Sequence, residues 1–228
     1  MTRIKVCGLT NTGDIQQCVT AGAHALGFVV EYPIDVPWNL DRNAAMDLMG
    51  RVPPYVTKVI IVGDDPATVT GLTEKLRPHV VQLHGNEPIA LTARLVSGLK
   101  SGFGVQIVKA LRFSAETGEC FSEVKDPIKA GRMLEQAGVD ALLLDSVSSD
   151  RPAGTGKTLD WGMARRIRDQ MSLPVILAGG LNAGNVGRAI SCVSPYGVDV
   201  ISGVEDPVGK KDPDKLKAFF KAIYDVWY

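Results

Sequence analysis

The sequence predicts one α/β domain over residues 1–228, folded as a single (β/α)8 TIM barrel with parallel strands inside and helices outside. Short β-branched or aliphatic runs alternate eight times with longer amphipathic segments, the pattern of parallel strands joined by helices. A length of 228 residues suits eight such units. No Pro- or Ser-rich linker, charge block or low-complexity tract interrupts the alternation. An open doubly wound sheet has the same local pattern, but eight units with short connections favour the closed barrel.

Each predicted strand is a run of five to seven mostly aliphatic residues. In chain order, the strands are predicted at Arg3–Cys7, Ala25–Val30, Val56–Val62, Val80–His84, Val105–Ala110, Ala141–Asp145, Pro174–Ala178 and Val198–Ser202. The amphipathic segment after each strand predicts a helix. These helices are predicted to begin near Thr12, Asp41, Pro66, Glu87, Cys120, Thr158, Asn182 and Asp212.

Composition and charge favour a small-molecule partner. Lysine plus arginine equals aspartate plus glutamate at 25 each, so the formal net charge is zero and no broad basic field attracts nucleic acid or an anionic membrane. Hydrophobic residues make up 45% of the chain, yet no apolar run reaches the roughly 18 residues of a membrane helix. The segment Met1–Cys7 lacks the features of a secretory signal, so we expect a cytoplasmic location.

The cysteines do not form a recognisable cluster. Cys7, Cys18, Cys120 and Cys192 are widely scattered, with no CxxC pair. This spacing argues against both a zinc site and a disulfide framework, so no metal is expected. If one cysteine matters chemically, it acts alone.

Polar residues and glycines fall at the ends of five predicted strands. In a β/α barrel the working site lies at the C-terminal face, where these ends meet. The segments are Cys7-Gly8, Gln82-Leu83-His84-Gly85, Asp145-Ser146, Gly179-Gly180 and Ser202-Gly203. The sequence therefore predicts one shared site at the barrel mouth.

Glycine clusters at this face predict a phosphate site, because bare backbone N–H groups and helix N-termini favour anions. The alternative is that these glycines only form tight turns, but their clustering at one face favours phosphate. The segment 154–158 resembles the end of a nucleotide P-loop, but Arg151 stands where that motif needs a glycine. The candidate residues for binding substrate and phosphate are Gln82, His84, Gly154, Gly156, Gly179, Gly180, Asp199, Ser202 and Gly203.

Cys7 and Asp145 form a candidate base and acid at the ends of the first and sixth strands. A buried cysteine is usually only a small hydrophobic residue, but strand parity directs Cys7 to the mouth. Its thiol needs nearby positive potential to act as a base. Asp145 could cap a turn, or its carboxyl group at an apolar strand end could have a raised pKa and donate a proton.

Two further inferences follow from strand position. Lys5 and Asp199 share inward parity on the first and eighth strands, which are neighbours in a closed barrel, so we predict that they form an ion pair. His84 is either structural or, as a neutral imidazole at a strand end, able to orient substrate or a neighbouring side chain. His24 and His79 have no clustered partners and receive no role.

Several motifs follow one another in a specific order along the whole chain. They are Lys5-Val6-Cys7-Gly8-Leu9-Thr10, Val81-Gln82-Leu83-His84-Gly85, Leu143-Leu144-Asp145, Gly154-Thr155-Gly156-Lys157-Thr158 with Asp160-Trp161, Leu177-Ala178-Gly179-Gly180-Leu181-Asn182, Val198-Asp199-Val200, Ser202-Gly203-Val204-Glu205 and Gly209-Lys210-Lys211-Asp212. Together these motifs resemble the phosphoribosylanthranilate isomerase family of tryptophan biosynthesis. The resemblance implies a cofactor-free Amadori rearrangement of N-(5-phosphoribosyl)anthranilate, with Asp145 protonating the ribose ring oxygen and Cys7 removing the C2 hydrogen.

The chain departs from this family at two places. The family usually has an arginine after the second strand that is taken to hold the anthranilate carboxylate, whereas Glu31–Leu40 contains no cation. Arg42 is a candidate substitute, and Trp38 could stack on an aromatic ring or anchor its Pro-rich loop. Ile201 stands where the family commonly has serine, so one phosphate contact is expected to be missing or moved.

Two alternatives to the isomerase remain open. One is another phosphate-binding barrel enzyme acting on a sugar phosphate without the anthranilate carboxylate, which the cation-free segment would suit. The other is a non-catalytic barrel that binds a phosphorylated metabolite, against which Cys7 and Asp145 argue. The sequence leaves open whether the protein is a monomer or a homodimer.

Overall fold

Parallel strands and helices alternate along the computed structural model, which describes residues 1–114, 117–147 and 159–227. The strands are β1 (Arg3–Val6), β2 (Ala25–Val30), β3 (Asn39–Leu40), β4 (Thr57–Val62), β5 (Val80–Leu83), β6 (Gln106–Ser114), β7 (Ala141–Val147), β8 (Val175–Leu177) and β9 (Gly197–Val200). The helices are α1 (Thr12–Ala21), α2 (Arg42–Met49), α3 (Pro66–Leu76), α4 (Ile89–Phe103), α5 (Pro127–Gln136), α6 (Trp161–Asp169), α7 (Val186–Val193) and α8 (Pro213–Tyr224), with a 3-10 turn at Ser202–Val204.

Eight of these strands close into a parallel barrel. Hydrogen-bonded neighbours run β1-β9-β8-β7-β6-β5-β4-β2, and β2 pairs again with β1. The two-residue β3, which the sequence did not predict, pairs only with β2 and lies outside the ring. The predicted (β/α)8 barrel is confirmed, and the open doubly wound sheet is excluded.

Local sequence explains where most helices begin. Aspartate or asparagine caps six of them by accepting a backbone N–H from the first turn, and proline follows the cap in α3, α5 and α8. These capping residues are Asn11, Asp41, Asp65, Asp126, Asp160 and Asp212.

Four predicted helix starts were early by two or more residues. The helix expected near Cys120 begins at Pro127, because Cys120 instead forms an antiparallel bridge with Phe113 and Asp126 supplies the cap. The helices expected near Glu87, Thr158 and Asn182 begin at Ile89, Trp161 and Val186.

The fifth barrel strand is longer than predicted. The prediction ended it at Ala110, whereas β6 continues to Ser114 and pairs with β7 over its whole upper half. The extra residues bring Arg112 level with Asp145 across the ladder. This extension changes which side chains reach the barrel mouth.

Apolar side chains fill two layers. The larger layer lies between strands and helices, and the smaller one fills the barrel interior with residues such as Val59, Val108, Ala141 and Leu143. Interior side chains alternate along each strand with those that face the helices. Val59, Val108 and Ala141 also line a second cavity, at the N-terminal end of the barrel. The apolar interior thus lies between that cavity and the C-terminal mouth.

One ion pair interrupts this apolar interior. Lys5 Nζ donates to Asp199 Oδ2 at 2.7 Å, and both side chains are less than 10% exposed. Lys5 and Asp199 are also register partners where β1 meets β9. Burial acts to lower the pKa of Lys5, but the charges of Asp199 and Cys7 outweigh it and raise that pKa above its ordinary value. The predicted Lys5–Asp199 pair is confirmed.

Removing one member of this pair should destabilise the barrel more than removing both. Lys5→Met leaves the Asp199 carboxylate buried and unpaired, so we expect the free energy of unfolding to fall by about 3–5 kcal/mol. Lys5→Met combined with Asp199→Leu should recover most of that loss. Urea unfolding measures the free energy of unfolding of the single and the double variant. Lys217→Met, at an exposed position, is the control. Equal losses in the single and double variants would show that the pair does not stabilise the fold in this way.

Candidate active site

A cavity of about 840 Å³, measured with its open mouth, lies at the C-terminal ends of the barrel strands. All of the predicted catalytic and binding residues that the structure describes line this cavity. They are Cys7, Gln82, His84, Asp145, Gly179, Gly180, Asp199, Ser202 and Gly203. The predicted Gly154 and Gly156 lie outside the described residues. The predicted strand-end residues that the structure describes therefore meet at one shared site.

Cys7 sits directly beyond β1, buried at the floor of the cavity. Its backbone N–H donates to Val200 O at 2.9 Å, which fixes the residue against β9. A Cβ at Gly27 would lie 2.5 Å from Cys7 Sγ, so glycine there makes room for the thiol. Burial raises the pKa of Cys7, and the neighbouring Lys5 ammonium opposes this shift. Lys5 thus supplies the positive potential that a thiolate needs.

Asp145 reaches the cavity from β7, and its side chain is 22% exposed. Burial, helped by the negative charge of Asp199, raises the pKa of Asp145 to about 6, although Arg112 and Lys5 oppose the shift. A carboxyl group with this pKa is partly protonated near neutral pH. It can therefore donate a proton where an ordinary aspartate could not.

His84 is a neutral imidazole beside Asp145. Burial, together with the positive charges of Arg112, Lys109 and Lys5, lowers the pKa of His84 well below its ordinary value. Its Nδ1 lies 3.1 Å from Gln82 Nε2, and its Nε2 lies 3.6 Å from Asp145 Oδ2.

If the Gln82 amide donates to Nδ1, the proton of His84 is on Nε2 and faces Asp145. This arrangement orients the imidazole without placing a second cation beside the carboxyl group.

Backbone amides form an anion-binding corner between β8 and the 3-10 turn. Gly179 and Gly180 both have positive φ, at 81° and 63°. A Cβ at Gly203 would lie 1.9 Å from Leu181 O, so only glycine fits. Within the described chain, the N–H groups of Gly180 and Gly203 donate to no other residue. Such unpaired, cavity-lining amides are suited to phosphate.

Ile201 borders the same corner. It lines the cavity with an apolar side chain at the position where the family commonly has serine. The Ser202 hydroxyl follows it on the 3-10 turn. Any anion held in this corner therefore relies on Ser202 and the glycine amides rather than on a side chain at Ile201.

Trp38 anchors the loop after β2. Its indole Nε1 donates to Glu205 Oε1 at 2.8 Å, and Lys211 Nζ donates to the same oxygen at 2.5 Å. A Cβ at Gly8 would lie 2.7 Å from the Trp38 ring. The loop is thus fixed over the first strand end, while Trp38 still lines the cavity. Of the two roles considered for Trp38, the structure shows the anchoring one.

Arg42 is already paired. Its Nε and Nη2 donate to both carboxylate oxygens of Glu31 at 2.6 Å, and it does not line the cavity. This bidentate pair also lowers the pKa of Glu31. The idea that Arg42 substitutes for the missing arginine gains no support from this geometry.

Sequence reasoning missed two residues near the mouth. Tyr32 lines the cavity and donates its hydroxyl to His84 O at 3.0 Å. Arg112 belongs to the unpredicted end of β6, although the alternation of Val108 and Ala110 toward the interior continues to it and could have revealed it. No local motif marks Tyr32.

The described residues contain no group of three or more His, Cys, Asp or Glu side chains arranged to hold a metal ion. No helix in the same part of the chain is long and apolar enough to cross a bilayer.

The closed barrel, with a thiol, a carboxyl group and an amide-lined corner at one mouth, defines the class of β/α-barrel enzymes. A family model described as N-(5'phosphoribosyl)anthranilate (PRA) isomerase matches residues 4–222. The chain belongs to this family and is an isomerase.

Relatives in sequence and structure agree with this assignment. N-(5'-phosphoribosyl)anthranilate isomerase 1 of Methanosarcina mazei is 39% identical over 97% of this chain and 94% of its own length. The crystal structure of phosphoribosyl anthranilate isomerase from Thermotoga maritima is 34% identical, with a TM-score of 0.82, covering 99% of this chain and all of that one.

A structure of a phosphoribosyl anthranilate isomerase in complex with reduced 1-(o-carboxyphenylamino)-1-deoxyribulose 5-phosphate is also similar. It has a TM-score of 0.78 at 32% identity and covers 99% of this chain and 100% of its own. That relative binds a phosphorylated sugar analogue.

A methyl group at Gly203 should weaken phosphate binding. In Gly203→Ala the new Cβ meets Leu181 O, so the turn and its amides must move. We expect the Kd for inorganic phosphate, measured by calorimetry, to rise at least about tenfold, since one charge-assisted hydrogen bond is worth about 1.5–3 kcal/mol. Gly184→Ala is the control, because its Cβ meets only the Asn182 side chain, at 3.3 Å. Unchanged phosphate affinity in Gly203→Ala would contradict a phosphate site at this turn.

Proposed function

We propose that this chain catalyses the Amadori rearrangement of N-(5-phosphoribosyl)anthranilate to 1-(2-carboxyphenylamino)-1-deoxyribulose 5-phosphate in tryptophan biosynthesis. The observation that carries the proposal is that Cys7 and Asp145 line one cavity whose corner, at Gly180 and Gly203, presents unpaired amides. Family membership and the relative with a bound product analogue support it. No metal or organic cofactor enters the proposed chemistry.

The phosphate anchors the substrate in the amide-lined corner. Gly179, Gly180, Ser202 and Gly203 supply backbone N–H groups there, and the Ser202 hydroxyl is a further donor. The ribose then extends over the floor toward Cys7 and Asp145. Asp199, whose Oδ1 has no partner among the described residues, is placed to accept from a ribose hydroxyl rather than to face the phosphate.

Asp145 acts as the general acid in the first step. Its proton passes to the ribose ring oxygen, the C1–O bond breaks, and the nitrogen lone pair forms an iminium ion at C1. The raised pKa of about 6 makes the protonated form available. His84 orients the carboxyl group through its Nε2, held in place by Gln82.

Cys7 acts as the general base in the second step. Its thiolate removes the C2 hydrogen, which the adjacent iminium has made acidic, and the electron pair forms an enolamine. Tautomerisation gives the ketone, so atoms and charge balance without a co-reactant. Lys5 stabilises the thiolate, since its charge opposes the effect of burial on the pKa of Cys7.

Substitution of either residue should abolish turnover while preserving binding. We expect Cys7→Ala and Asp145→Asn each to lower kcat by about 10²–10⁴-fold, because each removes one proton-transfer group. The assay follows the loss of anthranilate fluorescence with freshly generated phosphoribosylanthranilate. Affinity for the reduced product analogue should change less than about threefold in both variants.

The control is Cys192→Ser, which alters an exposed cysteine outside the cavity. A wild-type protein that is folded and binds phosphate but does not turn over this substrate would overturn the proposed function. Full activity of both Cys7→Ala and Asp145→Asn would overturn the assignment of acid and base.

The pH profile should show that the acid loses its proton before the base does. The pKa of Asp145 is about 6, whereas that of Cys7 lies above its ordinary value of 9.0. Below about pH 6 the protonated acid is abundant but thiolate is lost as pH falls. Above the Cys7 pKa, thiolate is complete but protonated Asp145 is lost as pH rises. Between them the two changes cancel, so kcat/KM is expected to be flat.

Asp145→Glu should move the low-pH limb of the profile and leave the high-pH limb in place. Because the substrate phosphate also ionises near pH 6, inhibition by the reduced product analogue over the same range separates ligand ionisation from that of Asp145. A narrow optimum inside the expected plateau would contradict this order of proton loss.

A further inference from the structure

Glu205 directly follows the 3-10 turn Ser202–Val204 and is buried, with 5% of the residue exposed. One carboxylate oxygen, Oε1, accepts from Trp38 Nε1 at 2.8 Å and from Lys211 Nζ at 2.5 Å. The other oxygen, Oε2, accepts the backbone N–H of Gly209 at 3.1 Å. The loop after β2 and the segment after β9 therefore meet at one carboxylate.

Several contacts fix Glu205 in place. Its backbone N–H donates to Ser202 O at 3.2 Å, which closes the 3-10 turn of the anion-binding corner. Lys215 Nζ donates to its backbone oxygen at 2.8 Å, and Glu205 forms an antiparallel bridge with Lys211. The backbone N–H of Lys211 donates in turn to Asp14 Oδ2 on α1 at 2.8 Å. The acceptor for the indole is thus fixed relative to that corner.

The loop after β2 spans the mouth between two anchors. On one side, Tyr32 donates its hydroxyl to His84 O at 3.0 Å. On the other side, the indole of Trp38 donates to Glu205. Among the residues that the structure describes, this is the only side-chain hydrogen bond between the loop after β2 and the segment after β9. The bond to Glu205 therefore determines where the Trp38 end of the loop lies.

The Trp38 ring forms the wall of the cavity next to Cys7. A Cβ at Gly8 would lie 2.7 Å from Trp38 Cδ1, so the ring packs directly on the backbone that follows Cys7. Trp38 and Cys7 both line the cavity, and both are at most 5% exposed. A ring in this place keeps water from one side of the thiol. Exclusion of water strengthens the interaction between a thiolate and the Lys5 ammonium.

We propose that Glu205 is a positioning residue that holds Trp38 against the Cys7 side of the cavity, with Lys211 as its counter-ion. This inference rests on the proposed function, to which the role of Cys7 as general base belongs. Glu205 does not line the cavity, so it acts through the indole. The Lys211 side chain is fully buried, and its charge allows the carboxylate to be buried beside it.

Two double variants isolate the acceptor for the indole. The glutamine pair is Glu205→Gln with Lys211→Met, and the methionine pair is Glu205→Met with Lys211→Met. Both pairs remove the buried ion pair, and only the glutamine pair keeps a side-chain oxygen that can accept from Trp38.

We expect kcat/KM for phosphoribosylanthranilate to be about tenfold lower in the methionine pair than in the glutamine pair, because a buried N–H loses its acceptor. The loss should lie mainly in kcat, since the proton-transfer step is affected. The Kd for inorganic phosphate should differ less than about twofold between the pairs, because the corner binds phosphate through its own amides.

Alkylation of Cys7 reports the position of the ring without any substrate. Iodoacetamide labelling, followed by peptide mass spectrometry, should be at least about threefold faster at Cys7 in Trp38→Phe than in wild type, since reactivity follows access. The same difference is expected between the methionine pair and the glutamine pair. Cys192, which is exposed, gives the reference rate, and the buried Cys120 outside the cavity reports loosening of the whole fold.

The single variant Trp38→Phe keeps the ion pair between Glu205 and Lys211, so it tests the proposal even if the double variants unfold. Trp227→Phe makes the same change at an exposed tryptophan and should leave every labelling rate at the wild-type value. Equal labelling of Cys7 and equal kcat/KM in the two pairs would overturn the proposal. So would faster labelling of Cys7 and Cys120 together, because the effect would then be a general loss of stability.

The two proposals fail differently. If the folded wild-type protein does not turn over phosphoribosylanthranilate, the proposed function fails, and the labelling rates still show whether Glu205 holds the ring. If it turns over the substrate and Trp38→Phe labels at the wild-type rate with unchanged kcat/KM, only the assignment of Glu205 fails.

Discussion

The ion pair between Lys5 and Asp199 is the interaction on which the rest of the site depends. It joins β1 to β9 at the seam where the barrel closes. It also allows a cation to remain beneath Cys7 in an interior that would otherwise exclude it. Without Asp199, Lys5 would lose the charge partner that offsets its burial. Without Lys5, the Cys7 thiol would lose the largest effect that opposes the rise of its pKa by burial.

Burial and neighbouring charges act on both the acid and the base at the mouth above this pair. Burial and the negative charge of Asp199 raise the pKa of both Asp145 and Cys7, and the Lys5 ammonium is the largest effect that opposes the rise at Cys7. The raised pKa of Asp145 keeps a proton donor in the pocket, while Lys5 favours the thiolate form of the proton acceptor. His84 contributes orientation without charge, because burial and the surrounding cations keep it neutral. Four ionisable side chains and one neutral ring thus set the chemistry.

The sequence predicted those features that depend on the regular recurrence of aliphatic runs and on the positions of residues within each strand. Eight aliphatic runs predicted the barrel, and strand parity predicted the pairing of Lys5 with Asp199 before any contact was known. Long-range partners could not be predicted in the same way. Trp38 and Glu205 are 167 positions apart, and nothing local in either segment specifies the hydrogen bond between them. The length of β6 was missed because its last four residues alternate between apolar and polar side chains, with Arg112 and Ser114 after Leu111 and Phe113. This alternation hid the barrel-facing parity of Arg112.

Contacts between distant parts of the chain also have a consequence for folding. Lys211 N–H donates to the buried Asp14 carboxylate across 197 positions, and Lys5 meets Asp199 across 194. Until β9 has formed, β1 lacks its partner strand at the seam and Lys5 lacks its carboxylate. The catalytic floor therefore forms only when segments far apart in the sequence have met, a step that local contacts cannot accelerate.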